Sequence, residues 1–361
     1  MNPNAAASAA TDPAEHQAQR KFNCPACGGE AQWHPASQTL KCAFCGTESP
    51  YAIEAEGEVQ ELDLVAALRA TPAANRGLQD ARRQVRCQHC QAISFFSAEQ
   101  QGKRCDFCGS SALLPFDEGV DVIRPQSLLP FQVDEPKARE RVRQWYGSRW
   151  WAPNALKKKA LTDTLHGVYL PYWTFDANAQ ARYTAEAGTY YRDNNNRQQV
   201  RWRRVSGQVA TQFDDTLVCG SRGVHPRLMR AIEPFATTSG LRPYDPAYLS
   251  GWTVERYSLD LRGAATQGQQ RMEQALRNLC VQDIGADTHR NLNMQASFGA
   301  QTFKHVLLPV WLVGYQYGAK TYQVVINGHS GQVAGEYPKS WVKIGLAVLV
   351  GLVVVYWLYL R

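Results

Sequence analysis

Three stretches, YLPYWTF (169–175), QARYTAEAGTYY (180–191) and VRWRRVSGQVATQF (200–213), set the fold class. All are rich in aromatic and β-branched residues, the side chains that fit a pleated, half-buried surface. Between the second and third, DNNN (193–196) supplies a turn. A helical stretch follows at about 263–281, with Met272, Leu276, Leu279 and Cys280 on one face, and strands resume at Lys304. Val168-Tyr-Leu-Pro-Tyr-Trp173 is echoed by Val306-Leu-Leu-Pro-Val-Trp311, which suggests two related β-units. The aromatic positions are read as core rather than as the lining of a ligand groove. Upstream, 134–150 reads as a basic helix with Pro136 near its start, and EVQELDLVAALRA (58–70) has helical apolar spacing.

Cysteine placement adds a second kind of module. Eight of the ten cysteines fall in four Cys-x-x-Cys pairs between Cys24 and Cys108, leaving Cys219 and Cys280 as core cysteines. Cys24 and Cys27 are followed, after fourteen residues, by Cys42 and Cys45; Cys87, Cys90, Cys105 and Cys108 repeat the pattern 63 positions later. A Cys-x-x-Cys turn puts two sulfurs on one side of an ion, and a hairpin returns the chain to supply two more. This is the spacing of a four-thiolate zinc ribbon, expected to hold two Zn²⁺ ions in all, with iron–sulfur or redox chemistry as the alternatives. Gly28, Gly46 and Gly109 follow three of the pairs, where a tight knuckle needs positive φ. Trp33 and Leu40 in one ribbon, and Ile93, Phe95 and Phe96 in the other, offer small apolar faces. His34 and His89 lie nearby, but each set already has its four ligands. Thiolate clusters rather than disulfides favour a reducing compartment.

The C-terminal run IGLAVLVGLVVVYWLYL (344–360) carries no charge, and from Trp341 the stretch is interrupted only by Lys343. Twenty helical residues span about 30 Å, the thickness of a bilayer's hydrocarbon core. Trp341 at one end, and Tyr356, Trp357 and Tyr359 at the other, suit the two interfaces. Lys343 is placed to snorkel back to the headgroups. Residues 1–20 have no apolar segment of the kind a secretory signal needs, and read as a disordered lead-in. Lys339 and Lys343 before the span then put the N-terminal domains in the cytosol, on the inner face of the cell membrane.

With 361 residues, 44% apolar content and a formal charge of +7, the chain can bury a large core and tolerates anionic partners without requiring one. No HExxH, GxSxG or GxGxxG is present. Gly314-Tyr-Gln-Tyr-Gly-Ala-Lys320-Thr321 resembles a phosphate loop, but it lacks the second glycine and sits in strand-like sequence. Asp214 and Asp215 read as a turn, and His166, His225, His289 and His305 have no evident partner. No catalytic or cofactor-binding residues are expected. Arg82, Arg83, Arg86, Lys103 and Arg104 gather around the second ribbon, and RQQVRWRR (197–204) interleaves Trp202 with arginines. These would suit nucleic acid phosphates, with a solvated basic face as the blander reading.

The phrases GVYLPYWTFD (167–176), VSG (205–207), FDD (213–215), YLSGW (248–252), LLPVW (307–311) and NGHSGQVAGEYPKS (327–340), set between two ribbons and one terminal span, resemble a bacterial family of membrane-anchored double zinc-ribbon proteins. Its members often carry the label primosomal protein N′ (replication factor Y)-like superfamily II helicase, or TFIIB-type zinc ribbon protein. A helicase motor needs a Walker lysine loop and an acidic metal box, and neither is present. The resemblance implies company with phage-shock-type proteins and SPFH-domain scaffolds.

The expected fold is α+β, mostly β: ribbon 1 at 21–50, a helical linker at 51–81, ribbon 2 at 82–115, a helical connector at 116–164, a β-rich body at 165–338 with a helical insertion, and a transmembrane helix at 341–360. The expected role is that of a single-pass, tail-anchored, non-enzymatic adaptor for protein partners. A membrane-tethered nucleic-acid-binding protein is the alternative.

Overall fold

The structure is a computed structural model that describes residues 22–48, 59–69, 83–96, 104–116, 123–153, 165–317 and 320–359. The expected lead-in and most of the 51–81 linker lie outside the described residues. Within them are β1 (Ala31–His34), β2 (Thr39–Cys42), β3 (Leu62–Asp63), α1 (Leu64–Arg69), β4 (Arg83–Cys87), β5 (Ile93–Phe96), β6 (Leu113–Pro115), β7 (Ser127–Leu128) and α2 (Glu135–Gly147). They continue as β8 (Leu165–Arg192), β9 (Gln198–Cys219), α3 (Pro226–Ala231), β10 (Arg242–Pro243), β11 (Thr253–Arg256), α4 (Leu261–Ile284), β12 (Thr288–Tyr317), β13 (Lys320–Asn327), β14 (Val333–Gly335) and α5 (Trp341–Tyr359). Strands β1 and β2 form a hairpin of their own, and the other twelve strands join one sheet.

Three strands dominate. β8 has 28 residues, β9 has 22 and β12 has 30, against a usual length of about 3–10. β12 begins at Thr288, well before the expected Lys304, and the expected separate strands at 169–175 and 180–191 are one continuous strand, β8. Strand β8 runs antiparallel to β12 from Thr288↔Gly188 to Val313↔Leu165 and to β9 across the DNNN turn. The echoed Val168–Trp173 and Val306–Trp311 phrases lie side by side in this sheet, with Leu170 opposite Leu308, rather than in two separate units.

Along their inner halves the two central strands are largely apolar and buried on both faces, so period-two alternation sends side chains into two cores. Tyr169, Leu307, Trp311, Val313 and Tyr315 pack with Phe131, with Ala138, Val142 and Tyr146 of α2, and with Trp33 and Leu40 of the first cysteine module. Val168, Leu170, Tyr172, Val306, Leu308, Val310 and Leu312 pack with Leu228 and Met229 of α3 and with Phe107 of the second module. The phrases that carry the family resemblance meet here: Phe131 stacks on Trp252 at 4.2 Å, and Trp311 meets Trp252 edge-on at 5.3 Å. Gly167 makes room for that Trp252, since a Cβ there would come within 2.1 Å of its ring. The aromatic run is core, as read.

The outer halves differ because their sequence differs. Ala177, Ala179, Ala181, Tyr183, Ala185 and Ala187 point to one face, and small side chains let α4 settle on them through Leu276, Cys280 and Ile284. Asn178, Gln180, Arg182 and Thr184 face solvent. Helix α4 extends the expected 263–281 at both ends: Asp260 caps it by accepting from the Gly263 N–H, and Gly285 ends it at φ 56°.

Two helical expectations shrink. Among the described residues of 58–70 only Leu64–Arg69 is helical, because Leu62–Asp63 instead pairs with Thr302 and Phe303 of β12. The basic helix is Glu135–Gly147, capped by Asp134 and ending before Trp150. The second cysteine module shares the large sheet through β5–β11, where Ser94 lies opposite Glu255. Helix α5 is long and apolar enough to cross a membrane, and none of its residues is buried.

Candidate metal centres and a buried charge network

In each module the chain reverses at a knuckle where the residue after the second cysteine donates its N–H to the first cysteine's carbonyl. These bonds are 2.8 Å at Gly28, 3.0 Å at Gly46 and 2.8 Å at Gly109. The three glycines have φ of 73°, 75° and 72°, as their placement in the sequence required. The fourth knuckle is closed the same way by Gln91, at φ 63° and 2.9 Å. Sequence reasoning had no signal for that position, because glutamine rarely adopts this conformation.

The knuckles bring the sulfurs together. Cys24–Cys45 and Cys27–Cys42 are 3.5 Å apart at Sγ, and Cys87–Cys108 and Cys90–Cys105 are 3.6 Å apart. Each set of four lies within 4.8 Å. A disulfide needs about 2.05 Å, whereas a tetrahedral ion with sulfur bonds of about 2.3 Å has edges of about 3.8 Å. All eight expected ligands therefore assemble, as two four-cysteine groups whose geometry is compatible with two metal ions. His34 is spent elsewhere, its Nδ1 lying 3.1 Å from Ser37 Oγ in the β1–β2 turn. His89 is exposed on the second module. Cys280 is buried under the outer sheet, and Cys219 is half-buried beside the second core.

The two centres differ in setting. In the second, Cys87, Cys105 and Cys108 are buried and Phe107 between them is inserted in the body, with Gln323 Nε2 donating to its carbonyl at 2.8 Å. In the first, Cys27 and Cys45 are exposed, and Phe44 beside them is 81% exposed. Thr47 lies 3.2 Å from Cys45 Sγ; its side-chain and backbone hydrogen bonds pull the Cys45 thiol down to about 6. The first module is held to the body by its other end, where Trp33 N–H donates to the Ser250 carbonyl at 3.1 Å and Ser250 Oγ donates to Ala31 O at 2.6 Å.

A second cluster was not foreseen. Asp214 and Asp215 do not form a turn; they lie within β9 at a bulge opposite Asp176, with Asp215 at φ 52°. Asp176, Asp214 and Asp215 bring oxygens within 4.8 Å of one another. Lys304 of β12 supplies the cation: its Nζ is 2.8 Å from Asp215 Oδ1, 3.0 Å from Glu61 and 3.9 Å from Asp176. Burial works to lower the Lys304 pKa, but the hydrogen bond and charge of Asp215 outweigh it and the net shift is upward. Burial raises Asp176. The available signal was a lone lysine inside the apolar run FKHVLLPVW, since an isolated charge in a fully buried strand must be paired.

Glu255 of β11 is 1% exposed where the second module joins the body. Burial pushes its carboxyl up to about 8, with Ser221 pulling the other way. A folded-state value above the ordinary 4.5 means that the folded chain holds this proton more tightly. The resulting stabilisation is complete below about pH 4.5 and fades as pH rises to about 8. Glu255→Gln should therefore flatten stability between pH 5 and 8 and raise the melting midpoint at pH 8.5. Melting curves of both proteins at the two ends of that range check this.

The phosphate-loop lookalike falls in the β12–β13 hairpin, with Tyr317 and Lys320 cross-strand partners. Arg86 and Arg201 of the two basic groups lie over the rings of Phe116 and Tyr191, at 3.8 Å and 5.2 Å, and Arg290 lies 4.2 Å over Trp202. Arg82 and Lys103 lie outside the described residues. No family model matches the chain, and no solved structure matches it. Over 333 residues it is 22% identical to the uncharacterized protein YdjG of Bacillus subtilis (strain 168), a likeness that covers 90% of this chain and 91% of that protein.

Proposed function

We propose that this chain is a zinc-bearing, single-pass membrane adaptor that positions protein partners at the cytosolic face of a bacterial inner membrane, in envelope stress, without catalysing a reaction. Each four-cysteine group would hold one Zn²⁺, the ion that four thiolates at this spacing favour. Helix α5 would be the anchor, with Lys339 and Lys343 on the cytosolic side.

The observation that carries this reading is the asymmetry between the two modules. The second is built into the body and has a structural role. The first docks by its hairpin and presents an uncovered knuckle tipped with Phe44, 81% exposed. An aromatic side chain on a rigid, metal-braced turn is the kind of anchor that protein interfaces use. By family resemblance, the partners would be of the phage-shock or SPFH type.

Cross-linking in intact membranes followed by pull-down tests the proposal. Specific partners should be recovered with the wild-type chain, and their yield should fall at least fivefold with Phe44→Ala. Recovery of none, or equal recovery with both chains, rejects it.

Nucleic-acid binding is supported less well, because two of the arginines that suggested it, Arg86 and Arg201, lie over aromatic rings. Retardation of DNA or RNA at low salt that disappears at high salt would favour it instead.

A further inference from the structure

Between α2 and the start of α5 the chain builds a contact whose purpose is not evident within the protein. Helix α2 ends at Gly147, and the next residues, Ser148 to Pro153, turn back toward the first turn of α5. Lys343, expected to snorkel to headgroups, instead donates its ammonium to Trp150 O at 3.0 Å and Ala152 O at 2.8 Å. Ser340 N–H donates to Trp151 O at 2.7 Å. Arg149 holds the base of the loop, lying 4.8 Å over the Trp145 ring and 5.9 Å over that of Tyr337. These ties fix the loop at the height of residues 340–343. Yet the loop leaves Trp150 75% exposed, next to a helix start where Trp341 is 82% exposed.

Two uncovered indoles at the level where an apolar helix begins match one environment. An indole places its ring among acyl chains and its N–H among headgroups, and so prefers the bilayer boundary to water. We propose that Trp150 and Trp341 form a phospholipid-interface clamp, in which the Lys343–carbonyl ties hold the body's loop against the bilayer and fix the body's tilt over it. This rests on the reading that α5 crosses the membrane. The ties explain why a lysine in the first turn faces the protein, and the bilayer explains why two tryptophans beside it face away.

The test uses the full-length chain in membranes of expressing cells, with p-benzoylphenylalanine placed singly at position 150, 341 or 190. Tyr190, exposed at the tip of the β8–β9 hairpin, is the control. Irradiation should yield phospholipid adducts, seen by mass, at 150 and 341 and at least tenfold fewer at 190. Lys343→Met should lower the adduct at 150 severalfold while leaving that at 341 intact. Adducts at 341 but not at 150, adducts only to protein at 150, or equal yields at 190 would overturn the clamp while leaving the anchor standing. No lipid adduct at either 150 or 341, with the chain released by alkaline carbonate, would overturn both.

Discussion

Cys105→Ser should cost the protein its fold, whereas Cys45→Ser should cost it only one metal. Both variants remove one of four ligands, and both should bind one ion fewer per chain by elemental analysis. Four-thiolate sites contribute much of the folding energy of such small modules, on the order of 10 kcal/mol. What differs is what each module supports. The second feeds β4, β5 and β6 into the twelve-stranded sheet and wedges Phe107 into the core beneath Leu170, Val310 and Leu312. Losing it exposes that core. The first hangs from the body by Trp33, Leu40 and Ala31, which stay buried without the outer knuckles. The expected readout is aggregation, or a large fall in melting midpoint, for Cys105→Ser and a near-normal melt for Cys45→Ser. In the wild type, a thiol reagent with chelator should modify Cys27 and Cys45 well before Cys105 and Cys108. Equal melts for the two variants would refute the division of roles.

Lys304→Met should be the most damaging change outside the two four-cysteine groups. The Lys304 side chain is 7% exposed and that of Asp215 is 3% exposed, so solvent screens their pairing little. Methionine fills the volume but leaves Asp215 and Asp176 buried against Glu61 with no cation. Breaking a buried pair by removing one partner costs about 3–5 kcal/mol, a fall in melting midpoint on the order of 10 °C. The sign of the pH effect follows from Asp176. Burial already raises its carboxyl, and the charge of Lys304 opposes that rise. Without Lys304 it rises further, so the variant's deficit should be largest at neutral pH and should shrink as pH falls toward about 4 and the carboxyl protonates. Lys304→Arg keeps the charge and should recover part of the loss. A deficit that does not change with pH would mean that packing, not charge, is at stake.

The candidate metal ligands were legible in sequence because the geometry that gathers them is local. A Cys-x-x-Cys turn sets two sulfurs by its own geometry, and the glycines after three of the pairs announced the backbone they adopt. Helix α4 was legible for the same reason, through the apolar face that carries Met272, Leu276 and Cys280. The length of β8 was not. Its inner half is largely apolar and its outer half alternates mostly alanine with polar residues; local reading took this change as a break between strands. It is a change in what covers the sheet, with cores on both faces inward of the Asp176 bulge and α4 on one face beyond it. Likewise, Leu62 and Asp63 carry helical spacing, but pairing with β12 satisfies their backbone and outweighs that weak preference.

By itself the sequence determined which residues could bind a metal, which segment could cross a bilayer and that 169–175, 180–191 and 200–213 would be strand, though not where the long strands begin and end, because each of these depends on groups close together in the chain. Only the tertiary structure decided that one cysteine module is buried and the other displayed, that Asp176, Asp215 and Lys304 share a single charge site, and that Lys343 holds a loop rather than reaching for lipid. Those outcomes depend on groups separated by tens to hundreds of positions. Burial and electrostatic pairing act on distance in space, which the order of residues does not record.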